Sequence, residues 1–251
     1  MDLKEYRESP REQARIESLL TLIPDGETAL DIGTRDGYFA QRMAARYARV
    51  TALDLELPDI SHPKIHPVKG NIGALEFPDN SFDTIFCAEV LEHLPGDLLQ
   101  RACAELSRVT RRNLVIGVPY RQDTRVGRTT CYSCGAHNPP WGHVNSFDDD
   151  KLKRLFPGLS WEKADYVGSN KEVTNWLSVA LMDAAGNPYG TYLQEETCVA
   201  CGKHLVPPPP RGLRQKVLAR TAELLNKGQR RLAAPRPNWI HILFTKNSGN
   251  T

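Results

Sequence analysis

The sequence predicts an α/β fold in which a mostly parallel β-sheet is covered by helices. Two observations favour it. In the first half of the chain, short apolar runs alternate with segments that carry apolar residues at helical spacing. The chain has 251 residues, of which 40% are hydrophobic and 25% are charged, a composition typical of globular proteins. A chain of this size can bury a large core without relying on disulfides.

The elements of the first half are predicted in chain order. An N-terminal helix within residues 1–24 ends before Pro24, because proline disfavours helical backbone at the residue preceding it. The strands that follow are short apolar runs bounded by turn residues. The five predicted strands cover residues 28–33, 50–56, 64–70, 82–90 and 113–120, and the two main helices between them cover residues 38–48 and 96–109.

The second half continues with a helix at 147–156, which begins with Asp residues that suit a helix N-terminus. Strands are predicted at 159–168 and 237–247. Between these strands lies a long interval that a minimal α/β domain does not require. We therefore predict one domain over residues 1–251, with a ligand-binding core at 25–120 and two cap insertions at 121–146 and 169–236.

Charge is unevenly distributed along the chain. Thirty-two Lys and Arg against thirty Asp and Glu leave a net charge of +2, so the molecule as a whole is not attracted to polyanions. Residues 211–236, however, carry +7 and the remainder carries −5. This segment predicts a basic amphipathic helix that packs through one apolar face. The residues of that face are Leu213, Val217, Leu218, Leu224 and Leu225.

A glycine loop follows the first predicted strand. The strand ends in Asp31, and the chain turns through Gly33 and Gly37 into a helix. Glycine lets a ligand approach backbone N–H groups, and the helix N-terminus adds partial positive charge. The spacing is GxxxG, whereas a dinucleotide fingerprint is GxGxxG. The second strand ends in Asp54, whose carboxylate can accept hydrogen bonds from a ribose diol. A nucleoside-containing ligand is indicated, with an ordinary connecting turn as the alternative.

A family resemblance becomes specific when the fourth strand is added. The segment FPDNSFDTIFCAEVLEHLPG, together with DIGTRDG, resembles the class I S-adenosylmethionine-dependent methyltransferases, particularly the small-molecule group called type 11. The similarity covers residues 25–120 and extends to GHVNSF and the closing NWIHILFTK. It implies a Rossmann-like seven-stranded sheet of order 3-2-1-4-5-7-6, with strand 7 antiparallel. It also implies that S-adenosylmethionine binds across the carboxyl ends of the strands.

The resemblance also assigns roles by position. Asp31 and Gly33 would line the methionine end of the cofactor, and Asp54 would bind the ribose. Arg35 replaces the family's middle glycine, and its guanidinium either reaches the methionine carboxylate or points to solvent. The full set of implied cofactor-binding residues is Asp31, Gly33, Arg35, Gly37, Asp54, Leu55, Asn71, Ile72 and Glu89.

An oxygen or nitrogen acceptor must lose a proton, for which histidine is the usual base. His143, which follows the fifth strand, is the first candidate for this base. His93 is the second candidate, but we expect its role to be mainly structural. Asn138–Trp141 resembles a motif of amino-group methyltransferases, but there the motif follows the fourth strand. We therefore interpret it as a rigid loop. Tyr120 and Asp123 are further candidates for substrate binding.

Two CxxCG motifs predict a metal site. Each such turn aims two thiolates at one point, so two turns can complete a tetrahedral zinc site with no open position. Unpaired structural cysteines and a redox pair are the alternatives, and His137 or His204 could replace a thiolate. The predicted ligands are Cys131, Cys134, Cys198 and Cys201.

The sequence thus predicts an enzyme that transfers a methyl group to an oxygen or nitrogen of a small polar acceptor, sugar-like or phosphate-bearing. A cytoplasmic protein is expected, because no apolar run is long enough to span a membrane and the N-terminus lacks a signal-peptide core. The alternatives are an RNA methyltransferase that uses the basic 211–236 helix and a non-catalytic S-adenosylmethionine-binding protein. The acceptor and the oligomeric state stay open.

Overall fold

The computed structural model describes residues 3–246. Its strands are β1 (Thr28–Ile32), β2 (Arg49–Asp54), β3 (Ile65–Lys69), β4 (Phe82–Ala88), β5 (Thr110–Pro119), β6 (Thr129–Thr130), β7 (His137–Asn138), β8 (Ser160–Val167) and β9 (Trp239–Thr245). Its helices are α1 (Leu3–Arg7), α2 (Pro10–Leu22), α3 (Tyr38–Met43), α4 (Gly96–Val109), α5 (Asp149–Leu155), α6 (Trp176–Ala184) and α7 (Leu213–Leu232).

Seven strands form one sheet in the order β3-β2-β1-β4-β5-β9-β8. The first five are parallel, and β9 is antiparallel to both β5 and β8. Strands β6 and β7 form a separate small hairpin. With β8 and β9 counted as the sixth and seventh strands of the sheet, the predicted α/β fold with order 3-2-1-4-5-7-6 is confirmed.

The predicted N-terminal helix is two helices instead of one. Ser9 lies between α1 and α2 and is the N-cap residue of α2, where its hydroxyl oxygen accepts a hydrogen bond from the Glu12 N–H at 3.3 Å. Pro10 follows at the first helical position. Proline is favoured there because an N–H at this position would have no hydrogen-bond partner within the helix. Residues 1 and 2 of this predicted helix, and residue 247 of the predicted last strand, lie outside the described residues.

Two apolar clusters cover the two faces of the sheet. Successive side chains of a strand point to opposite faces, so Leu30 and Ile32 lie in one cluster and Ala29 lies in the other. The first cluster is closed by α4 and α5, and the second by α2 and α3. This packing orients the carboxyl ends of β1, β2 and β4 along one edge, where the predicted cofactor residues begin.

The chain divides into two compact units. Of the described residues, unit 1 comprises 3–120, 147–168 and 237–246 and contains the seven-stranded sheet. Unit 2 comprises 121–146 and 169–236 and contains the β6–β7 hairpin with α6 and α7. Within residues 3–246, no helix is long and apolar enough to cross a bilayer.

The predicted apolar face of α7 is wrong for three of its five residues, and the other two are partly buried. Helix α7 packs against α6 and buries Ala219 and Ala222 completely. Leu213, Val217 and Leu224 are 79%, 56% and 55% exposed instead. Alanine allows two helices to approach closely, so the small side chains face the partner helix and the larger ones face away from it.

Candidate functional site

The glycine loop after β1 is held by backbone geometry that only glycine permits. Gly33 has φ +70°, and a Cβ there would lie 2.5 Å from a methyl group of Val90. The neighbouring Asp31 is 2% exposed, and its carboxylate accepts a hydrogen bond from the Thr34 hydroxyl at 2.6 Å. Burial raises the pKa of Asp31 to about 7. The loop therefore combines a glycine, which has no side chain, with a buried carboxylic acid.

Asp54 connects the end of β2 to this loop. Its carboxylate accepts hydrogen bonds from the N–H of Arg35 at 2.8 Å and from the N–H of Leu55 at 2.7 Å. Arg35 has φ +53°, the left-handed region that favours glycine. At Gly37, where φ is +76°, a Cβ would lie 2.4 Å from Ile60. Each carboxylate oxygen of Asp54 keeps a second lone pair with which it can accept a ribose hydroxyl.

Three of the cofactor-binding residues that the resemblance implies differ in exposure. Leu55 is 66% exposed, a large apolar side chain at the strand edge. Ile72 is only 6% exposed and packs into the larger core cluster. The Asn71 side-chain oxygen accepts a hydrogen bond from the Gly73 N–H at 2.8 Å and so supports its own turn. Leu55 is thus the most accessible apolar surface among the three.

Glu89 follows β4 in a left-handed conformation with φ +56°. Its carboxylate accepts a hydrogen bond from the Trp239 indole N–H at 3.3 Å, and the Arg15 guanidinium lies 3.7 Å from its other oxygen. Burial raises the pKa of Glu89, and the positive charge of Arg15 opposes this shift. The carboxylate is therefore positioned from two elements that are distant in sequence.

Helix α2 adds a charged cluster that sequence reasoning missed. Glu12 and Arg15 are 3% and 8% exposed and are joined at 2.8 Å. The guanidinium groups of Arg11 and Arg15 lie 4.5 and 5.6 Å from the Trp239 ring centroid. A signal was available, since Glu12 and Arg15 share a helical face with buried Leu19. We name Arg11, Glu12, Arg15, Glu89 and Trp239 the β4-edge cluster.

The short 3₁₀ helix Leu91–His93 follows Glu89. Glu92 is fully buried, and neither of its carboxylate oxygens has a hydrogen-bond partner among the described residues. Burial, followed by the nearby charge of Glu89, raises the pKa of Glu92 well above its usual range. Burial and the charge of Arg35 lower the pKa of His93. His93 is accordingly a weak base in this unit.

His143 lies in unit 2 on the segment after β5 and is 9% exposed. Its Nδ1 is 2.7 Å from the side-chain oxygen of Gln122. Because that oxygen only accepts, Nδ1 donates this hydrogen bond. Tyr120 donates its hydroxyl to Asp149 at 2.6 Å. Asp123 accepts from the Thr174 N–H and hydroxyl at 2.8 and 2.7 Å, so its carboxylate organises unit 2.

The four predicted metal ligands converge in unit 2. Their sulfur atoms all lie within 4.8 Å of one another. The Sγ–Sγ distance is 3.7 Å between Cys131 and Cys201 and 3.7 Å between Cys134 and Cys198. His137 is not a member of this group, since its Nδ1 lies 3.6 Å from an oxygen of Asp183.

Comparison with known proteins supports the assignment of the sheet and its loops. A family model described as a methyltransferase domain matches residues 30–116. The ubiquinone biosynthesis O-methyltransferase of Xanthomonas campestris is 34% identical over 179 residues, which cover 65% of this chain and 67% of that protein. The chain belongs to the class I S-adenosylmethionine-dependent methyltransferases.

A second relative matches over a shorter stretch, and a solved structure matches at lower identity. The ubiquinone biosynthesis O-methyltransferase of Chromobacterium violaceum is 32% identical over 93 residues, which span 32% of this chain and 40% of that protein. The structure of an S-adenosylmethionine-dependent methyltransferase from Archaeoglobus fulgidus aligns over 97% of both chains, with a TM-score of 0.54 and 16% identity. That structural likeness shows the shared fold.

The residues of unit 1 in this methyltransferase fit S-adenosylmethionine. Gly33 and Gly37 give the loop after β1 the positive φ and close packing that a side chain would prevent. Asp54 has lone pairs for the ribose hydroxyls, and exposed Leu55 offers an apolar surface to a purine. Buried Asp31 offers a carboxylate to an ammonium group, whose charge would lower the pKa of Asp31 again.

Proposed function

We propose that this methyltransferase methylates an oxygen or nitrogen of a small polar acceptor. The β4-edge cluster is the observation that supports it, because it places charged side chains beside Glu89, the last of the predicted cofactor residues. Burying charge costs free energy unless the groups are paired and hydrogen-bonded, as Glu12 and Arg15 are. A lining of this kind suits an acceptor that carries hydroxyl, amino or anionic groups and disfavours a purely apolar one.

The reaction is an in-line displacement. S-adenosylmethionine supplies an electrophilic methyl group on its sulfonium; the carbon–sulfur bond breaks, the bond to the acceptor forms, and S-adenosylhomocysteine leaves. The acceptor proton must pass to a base or to solvent. The protein contributes mainly alignment. We assign the base role to His143, a buried histidine on the segment after β5 whose ring is oriented by Gln122.

Calorimetry with S-adenosylmethionine and S-adenosylhomocysteine tests the cofactor assignment. Asp54→Asn is expected to weaken binding of both by roughly tenfold or more, because it removes charged hydrogen-bond acceptors. Glu56→Gln is the matched control, since Glu56 is exposed and pairs with Lys69. If the wild-type protein binds neither compound, the enzyme and the non-catalytic cofactor-binding interpretations both fail.

Transfer of a labelled methyl group tests the acceptor class. Sugar-like, phosphate-bearing and phenolic compounds are offered separately, and methylation of at least one of them is expected. His143→Gln should slow transfer and remove the ionisation of this histidine from the pH–rate profile. An enzyme that methylates tRNA or rRNA and none of the small molecules would contradict the proposal.

RNA methylation is a second candidate, favoured by one observation. Helix α7 exposes the cations Arg214, Lys216 and Arg220. Contacts to phosphates would make RNA binding fall steeply with salt. Neutralising the three cations should remove most of this salt dependence if RNA is the substrate. Retention of the full salt dependence by the neutralised variant would exclude α7 as the phosphate-binding element.

A further inference from the structure

The two cysteine turns of unit 2 have nearly the same backbone. In each, the N–H of the first cysteine donates to a carbonyl five residues later, Cys131 to Ala136 at 2.8 Å and Cys198 to Lys203 at 2.8 Å. In each, the glycine N–H donates back to the carbonyl of the first cysteine, at 2.7 Å for Gly135 and 2.8 Å for Gly202. Both glycines have positive φ, +78° and +68°. Two independent segments thus form the same thiol-presenting turn.

The sulfur positions match a tetrahedral metal site. Four sulfurs at about 2.3 Å from a central zinc would lie about 3.8 Å apart. The observed separations of 3.7 Å for the Cys131–Cys201 and Cys134–Cys198 pairs agree with this geometry. A disulfide would require about 2.05 Å. Each of these short contacts joins one turn to the other, so the arrangement links the two segments rather than closing either CxxC as a redox pair.

Side chains around the cysteines hold the two turns together. Asn138 is 1% exposed; its side-chain oxygen accepts from the Val199 N–H at 2.8 Å, and its amide donates to Ala136 at 3.2 Å. The Tyr192 hydroxyl accepts from the Thr130 N–H at 3.0 Å. Asn138 is the first residue of the segment that resembles an amino-group methyltransferase motif, and here it joins the first turn to the second.

Apolar burial in this region is small. The cluster of buried apolar residues around the turns has four members, Cys131, Tyr192, Cys198 and Leu205, of which two are the cysteines themselves. Two segments more than sixty positions apart in the sequence meet at this cluster. Bringing them together costs conformational entropy that so few buried side chains do not offset. A further source of stability is required.

The segment that immediately precedes the hairpin lines a cavity. This cavity of about 370 Å³ lies within unit 2 and is lined by Arg128, Asp183, Asn187 and residues of α6 and α7. Arg128 pairs with Asp183 at 3.0 Å, and the Asn187 amide donates to the Thr130 hydroxyl at 2.9 Å. Thr130 immediately precedes Cys131. The position of this wall therefore depends on the position of the first cysteine turn.

We propose that Cys131, Cys134, Cys198 and Cys201 bind one Zn²⁺ as four thiolates, and that this ion holds the wall of the unit 2 cavity in place. Four protein ligands complete the tetrahedron and leave no position for water or substrate, so the ion is structural and does not act as a Lewis acid. Four soft sulfur ligands in tetrahedral geometry select zinc over magnesium or calcium. The assignment does not depend on the proposed methyl acceptor.

Metal analysis of the purified full-length protein is the first test. About one zinc per chain is expected, and Co²⁺ substitution should produce the thiolate-to-metal absorption of a tetrahedral four-sulfur site. Cys134→Ser and Cys201→Ser should each lose metal, whereas Cys201→His should retain it, because histidine is also a zinc ligand. The control is Cys103→Ala, a buried cysteine of unit 1, which should keep full metal content.

Hydrogen exchange on the wild-type protein tests the structural role without any variant. Removing the metal with a chelator should abolish protection at 129–138 and 197–204, while β1 and β4 keep theirs and S-adenosylmethionine still binds to unit 1. Stoichiometric iron, absence of metal from protein produced with ample zinc, or unchanged protection after chelation would each overturn the assignment. Failure of the proposed methyltransferase activity alone would leave these readouts unaltered.

Discussion

The two units of this methyltransferase are stabilised by different means. Unit 1 buries two large apolar clusters on the two faces of a seven-stranded sheet. Unit 2 buries one cluster of four residues around its cysteines and a few alanines where α6 and α7 pack, and it also contains ion pairs such as Arg230 with Glu172 at 2.9 Å. A small apolar core rarely supplies enough stability, and small proteins add cross-links or metals for the same reason.

The two units also differ in how their functional residues are positioned. The residues assigned to the cofactor lie at the carboxyl ends of β1 and β2 and on the segments that follow β1, β2, β3 and β4, all in unit 1. A rigid sheet fixes these loop ends, so backbone N–H groups and carboxylates are placed without a metal. In unit 2 the side chains are placed by the hairpin and by the cysteine turns. Unit 1 therefore depends on packing for its function, and unit 2 depends on the proposed metal ion.

One buried Leu→Ala substitution in each unit should give the largest expected difference in the free energy of unfolding. Leu30→Ala removes a side chain that is 0% exposed at the centre of the sheet and should lower the free energy of unfolding of unit 1 by about 2–5 kcal/mol. Leu205→Ala in unit 2 should have less than half this effect while metal is bound. Urea titration followed by hydrogen exchange resolves the two units. Equal losses would contradict the difference in how the units are stabilised.

The pH dependence of unit 1 should reveal its buried acid. Folded Asp31, with its pKa raised to about 7, keeps a proton that the unfolded chain releases above about pH 4. Its contribution to the free energy of unfolding therefore falls as pH rises from about 4 to about 7, by up to about 1.4 kcal/mol per pH unit. Asp31→Asn should remove this slope and weaken S-adenosylmethionine binding.

Stability must be compared between Asp31→Asn and the wild type, because His241 changes the free energy of unfolding with pH in the opposite direction. Burial lowers the pKa of His241 to about 3, so its contribution to stability is complete above about pH 6.5 and is lost as pH falls toward 3. Asp31→Asn should accordingly make unit 1 more sensitive to acid than the wild type. Parallel stability curves for the two proteins between pH 4 and 7 would show that Asp31 is ionised in the fold.

The smallest expected effect concerns backbone strain at Arg35. A left-handed conformation costs a non-glycine residue about 1 kcal/mol, so Arg35→Gly should raise the free energy of unfolding of unit 1 by about that amount. The control is Arg101→Gly on the exposed face of α4, which should lower it by about 1 kcal/mol. Chemical denaturation measures both. If Arg35→Gly instead lowers stability or abolishes cofactor binding, the guanidinium itself is required.

Local elements of unit 1 were predictable because their signals lie within a few residues. Apolar runs marked the five parallel strands, and helix α4 was predicted at 96–109, as observed. The break at Ser9 was missed, although a serine followed by proline is a common helix start. The prediction of the apolar face of α7 was partly wrong, because the burial of a helix face depends on which helix packs against it. Sequence spacing does not identify that partner helix.

By itself, the sequence determined the positions of the sheet strands along the chain, the glycine loop after Asp31, the acid that ends β2 and the spacing within each CxxC turn. These features are local, since they follow from side-chain periodicity and from the backbone freedom of glycine. Only the tertiary structure brought Arg15 to Glu89 and Trp239, and Cys131 to 3.7 Å from Cys201. Such contacts depend on how distant segments pack, and that packing is set by burial across the whole unit rather than by neighbouring residues.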